Sequence, residues 1–184
     1  MERLLNRMLS TLLPPMSGWD ELKDEAIQEK ELISNYLLFT AAIPAISGFL
    51  GLIFSGEAFF HSLFWAIIFY GCAIGGVFLL AKVITYLANS FNAEENLQTY
   101  LKLVVFASAP VFIASIFFII PPLYWLSIVG VYGFLQFWIG YDKIVFCPEE
   151  EKFNFFFISL IAFILTIILI YLLPALIVNA AVYQ

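Results

Sequence analysis

Residues 117–126 read FFIIPPLYWL, and whether Pro121 and Pro122 kink one helix or turn the chain around decides the topology. Residues 103–141 carry no formal charge and lie between Lys102 and the pair Asp142 and Lys143. As one helix rising ~1.5 Å per residue, that stretch would be roughly 58 Å long. This is close to two crossings of a hydrocarbon core about 30 Å thick. A proline ring clashes with the preceding helical turn, offers no backbone N–H, and disfavours helical geometry in the residue before it. The pair is therefore read as the apex of a helical hairpin. Tyr124 and Trp125, just beyond it, suit the interfacial belt where amphipathic rings sit at headgroup level.

The rest of the 184-residue chain agrees with this reading. Apolar side chains make up 63% and charged ones 12%, where soluble domains have about a quarter charged; mean hydropathy is +0.98. Five segments are long and apolar enough to cross a bilayer, at about 36–54, 58–81, 103–120, 123–141 and 155–178. The fold class expected is all-α: a polytopic five-transmembrane-helix bundle with amphipathic and acidic helices in residues 1–35. A membrane domain spans 36–178 and a short tail 179–184. Arg7 and the pair Pro14 and Pro15 break any signal-peptide pattern, so the mature chain is expected to start near Met1.

The eight basic residues set the orientation. Arg3, Arg7, Lys23 and Lys30 precede the first span, Lys82 and Lys102 bound the second loop, and Lys143 and Lys152 lie in the fourth. The first loop, the proline hairpin and the tail carry none. By the positive-inside rule the N-terminus is cytoplasmic and the C-terminus extracytoplasmic. The net charge of −6 excludes nucleic acid as a partner, which needs a concentrated basic patch.

The opening residues MERLLNRMLSTLL place Leu4, Leu5, Met8, Leu9, Leu12 and Leu13 on one helical face. Such a helix lies in the membrane interface, caps the cytoplasmic ends of the bundle or fills a specific partner's groove. Beyond Pro15, Ser17 and Asp20 have capping-box spacing, and Trp19, Leu22, Ala26 and Ile33 form a weaker apolar stripe on an acidic helix. Asn92 followed by Glu95 predicts that the third span's helix begins near Ala93.

The only histidine, His61, stands near Glu57 without a nucleophile or metal set, and no carboxylate lies inside a span. No catalytic, cofactor-binding or metal site follows, and the chain is expected not to be an enzyme. Cys72 reads as a small apolar residue of a span. Gln136 is the strong amide within a span and is expected to hydrogen-bond a neighbouring helix. With Ser108 and Ser115 it forms a candidate intramembrane polar site. Gly71 and Gly75 are spaced for close helix packing, more readily within the chain than across a homodimer.

Several patterns together resemble the YIP domain family of integral membrane proteins. They are the pair Pro14 and Pro15 with Trp19, IPAISGFLG at 43–51, LANSF at 87–91, ASAPVFI at 107–113, IIPPL at 119–123, Tyr132 with Gly140, and Pro148 onward to Lys152. Pro44, Gly48, Pro110, Pro121, Tyr132 and Gly140 carry the likeness. The resemblance implies five spans and a cytoplasmic N-terminus. It also implies a role in membrane organisation or partner recruitment, with no catalytic site to transfer. Eukaryotic members bind Rab-type GTPases and carry longer N-terminal regions; the short region here points to a prokaryotic member of the inner membrane.

Two functions remain. One is a non-enzymatic adaptor that recruits a cytoplasmic partner. The other is a small oligomeric transporter or channel with Pro110, Ser108, Ser115, Tyr132 and Gln136 lining a path.

Overall fold

The computed structural model of the chain describes residues 15–24 and 27–182. The amphipathic face from Leu4 to Leu13 lies outside them. The described residues form helices and no strand: α1 (Pro15–Asp24), α2 (Glu29–Phe54), α3 (Phe59–Ser90), α4 (Leu97–Ile119), α5 (Pro121–Ile144) and α6 (Glu149–Val182). The last five are long and apolar enough to cross a membrane.

Backbone chemistry sets the ends of the helices. Gly56 ends α2 with φ at 89°, and the Glu57 N–H reaches back to the Leu52 carbonyl at 3.0 Å, the pattern of a left-handed C-terminal cap. Asn92 serves α3 in the same way, with φ at 51° and the Ala93 N–H on the Ala88 carbonyl at 2.9 Å. That corrects the expected start of α4. Residues 92 and 93 are consumed by the exit from α3, and the cap is Asn96, whose Oδ1 accepts from Gln98 and Thr99 N–H. Likewise the chain is already helical at Ser17, so Ser17 is not an N-cap. The boundary drawn between residues 35 and 36 falls inside α2, where the helix widens over Leu32–Leu37 to the looser π-helical winding.

The proline pair turns the chain. Ile120 is extended, with φ −113° and ψ 104°, and Pro121 opens α5, where a missing N–H leaves no bond unmade. Glycine contacts show the hairpin to be antiparallel. Gly130 approaches Val111 and Ala114, Gly133 approaches Val111 and Ala107, and Gly140 approaches Leu103; partners on α4 recede as α5 advances. The first 11 residues of α5, Pro121–Val131, are wound as a 3₁₀-helix. At about 2.0 Å rise per residue against 1.5 Å for an α-helix, this winding lengthens a short apolar segment.

α4 is the hub, packed by α2, α3 and α5, and every residue from Tyr100 to Pro110 is buried. A helix apolar around its whole circumference belongs inside a bundle. α6 packs mainly on α3, where Gly76 admits the Ile170 side chain. Outward-facing leucine, isoleucine and phenylalanine along α3, α5 and α6 are exposed, as the hydrocarbon of a bilayer requires.

Candidate functional site

At one end of the bundle the helices overrun their apolar spans, and α1 is inserted there against α5. The insertion depends on Trp19, which is 0% exposed. Its ring lies edge-on to Phe106 at 6.1 Å and occupies the space a side chain at Gly140 would need. The indole Nε1–H donates to Gln136 Oε1 at 2.7 Å. A buried indole requires such a partner, so the amide within the fourth span serves the N-terminal helix.

Lys102 completes the seat. It is 7% exposed, and its Nζ donates to the Leu22 carbonyl at 2.7 Å near the C-terminus of α1, where carbonyls lack helical partners and the helix dipole favours a cation. At the surface Lys143 pairs with Asp20 at 2.7 Å. Gln98 Nε2 donates to the Ile27 carbonyl beyond α1. By sequence alone Lys102 marks only the edge of a loop. Its place directly before the uncharged stretch, one helical turn from Phe106, was the signal that it points into the bundle.

The two loops at this end are tied together. Glu94 N–H donates to the Phe146 carbonyl at 3.1 Å, and Cys147 Sγ lies 3.6 Å from the Phe91 carbonyl as donor. Burial pushes the Cys147 thiol pKa up, and Glu151 adds to the rise. Cys72 and Cys147 are both free thiols. Asp20, Glu21, Glu29, Glu94, Glu95, Glu149 and Glu150 are exposed around the same end.

The remaining predicted residues are dispersed. Ser108 Oγ donates to its own helix at the Val104 carbonyl. Ser115 bonds the Val111 carbonyl and the Tyr171 hydroxyl, the latter at 2.6 Å. These bonds stay on α4 and reach α6, while that of Gln136 reaches α1. Pro110 and Tyr132 line a groove of about 460 Å³ between α4 and α5, with Ile116 and Val129 among its other walls. Gly48 packs on Trp65, and Gly51, further along the same motif, on the Phe118 carbonyl. Pro44 is buried on the same face. Gly71 and Gly75 have no atom within 4 Å of an added Cβ. Among the described residues it is Gly76 whose position meets a neighbouring helix, at the Ile170 side chain.

Five membrane-length helices, one of them a buried hub, define an integral, multi-pass membrane protein. Residues 9–177 match the Yip1 domain, and the chain belongs to that family. It is similar to inner membrane protein YohC of Escherichia coli strain K12 and of Escherichia coli O6:H1 strain CFT073. Each is 26% identical over 141 residues, covering 69% of this chain and 71% of the relative. No solved structure matches.

Proposed function

We propose that the protein is a non-enzymatic membrane adaptor whose end carrying α1 faces the cytoplasm and recruits a protein partner with a basic surface. The observation that carries this reading is the seat of α1. Trp19, Gln136 and Lys102 hold a short helix against the bundle and leave its outer carboxylates in solvent. Rigid presentation lowers the ordering cost of binding, and clustered acids steer a basic partner. The lysines at this end favour the cytoplasmic side. The similarity to an inner membrane protein favours the bacterial inner membrane.

The transporter alternative has less support, since Ser108, Ser115 and Gln136 spend hydrogen bonds on separate parts of the chain. A second copy meeting the first at Gly71 and Gly75 is compatible with the adaptor, because that face is open.

The test reverses exposed charge without touching the seat. Glu21→Lys with Glu94→Lys should release partners cross-linked to the wild type while leaving the melting temperature unchanged. Purified protein in liposomes should pass no solute beyond empty vesicles. Solute flux abolished by Gln136→Leu in an otherwise folded protein would reject the adaptor in favour of the transporter.

A further inference from the structure

Where α5 leaves the bundle and α6 enters it, a cleft of about 220 Å³ is lined by the rings of Trp138, Tyr141, Phe153 and Phe156. Its charged lining consists of Asp142, Glu149 and Lys152. Lys152 Nζ lies 3.0 Å from Asp142 and 3.7 Å from Glu149, so the two carboxylates already hold one ammonium between them. Two acids against one base leave the cleft with an excess negative charge. Glu149 is 89% exposed on its side chain, and a carboxylate has about four lone-pair positions, most of them open here. Aromatic faces beside carboxylates attract a further cation. The Lys152 ammonium has three N–H donors and keeps capacity for an anionic oxygen.

We propose that this cleft binds the headgroup of a zwitterionic phospholipid bearing a primary ammonium. The headgroup ammonium sits against Glu149 and the Trp138 ring, and its phosphate meets Lys152. A primary ammonium fits better than a trimethylated one, because only the former can donate hydrogen bonds to the carboxylate. The occupant is a membrane lipid and not a soluble amine. Phe153 begins an exposed apolar stripe that continues through Phe157, Ile161 and Leu165 at helical spacing, which gives the acyl chains a track running from the cleft along α6. The inference is independent of the adaptor reading and of which leaflet the cleft faces.

The test is native mass spectrometry of the full chain in detergent, titrated with phosphatidylethanolamine, phosphatidylcholine and phosphatidylglycerol of matched chains. The wild type should retain phosphatidylethanolamine several-fold more tightly than the other two. Glu149→Gln and Trp138→Ala should each remove most of that preference. Glu149 is so exposed that its variant should melt as the wild type does, so Glu149→Gln decides the matter if Trp138→Ala is unstable. Equal retention of all three lipids, a preference for phosphatidylglycerol, or a preference that survives Glu149→Gln would overturn the proposal. Soluble phosphoethanolamine should not displace the lipid at equal concentration; if it does, the acyl track plays no part and the lipid assignment is wrong.

Discussion

Trp19 and Gly140 are steric complements: a Cβ built on Gly140 would lie 2.6 Å from the indole ring. The absence of a side chain on α5 is what admits one from α1, and Gln136, one helical turn before Gly140, supplies the acceptor for the indole N–H. Fill and hydrogen bond therefore come from one helix face.

This pairing predicts how α1 is released. Trp19→Ala should cost about 3 to 5 kcal/mol, the usual range for an emptied tryptophan site. Because α1 is a local unit, the loss should appear first as local opening. Trypsin should cut at Lys23 faster while the five-span bundle stays intact. Gln136→Leu strands the buried indole donor at a cost of about 1 to 3 kcal/mol and should give the same pattern more weakly. Unchanged cleavage in both variants would contradict the seat.

The two lysines that hold α1, Lys102 from α4 and Lys143 from α5, should differ in weight. Lys102→Met removes a buried charged donor to the Leu22 carbonyl and should cost about 1.5 to 3 kcal/mol. Lys143→Ala breaks a pair whose side chains are 33% and 57% exposed, worth about 0 to 1 kcal/mol. Melting of the two variants at low and high salt checks this, and only the loss in Lys143→Ala should depend on salt.

The neighbouring glycines on α3 separate fold from assembly. A side chain at Gly76 meets Ile170 at 2.8 Å, so Gly76→Leu should overpack at a cost of about 1 to 3 kcal/mol. A Cβ at Gly75 has no described atom within 4 Å, so Gly75→Leu should leave stability within about 0.5 kcal/mol. If two copies meet at Gly71 and Gly75, the same change converts a dimer to a monomer. Light scattering of both variants in nanodiscs reads the outcome.

Orientation can be read with a thiol reagent that does not cross membranes. Added outside intact cells, it should label Tyr183→Cys and spare Cys147. After permeabilisation Cys147 should react, but slowly at neutral pH. Its raised pKa means less thiolate at a given pH, so the rate should keep climbing above the ordinary thiol value of about 8.5. Labelling of Cys147 from outside would reverse the proposed orientation.

The number of membrane-length helices, the turn at Pro121 and the helical class were determined by the sequence alone. Those features follow from chain-local physics: transfer of an apolar run into hydrocarbon, and the geometry of a proline ring. The side assigned to each loop rests on the same kind of local count, the placement of lysine and arginine. Which helix lies at the centre was not legible, because in lipid both core and surface are apolar; only burial from Tyr100 to Pro110 marks α4 as the hub. Helix starts went astray where one asparagine could serve two masters, and the left-handed turn at Asn92 is a property of the exit from α3. Gly75 and Gly76 are adjacent and identical in composition, yet helix rotation against α6 alone decides that the second is packed and the first is open. The seat of α1 is also a tertiary decision. Trp19, Lys102 and the α5 face of Gln136 and Gly140 lie far apart in the chain, and no spacing rule connects the three places until the antiparallel pairing of α4 with α5 brings them to one end of the bundle.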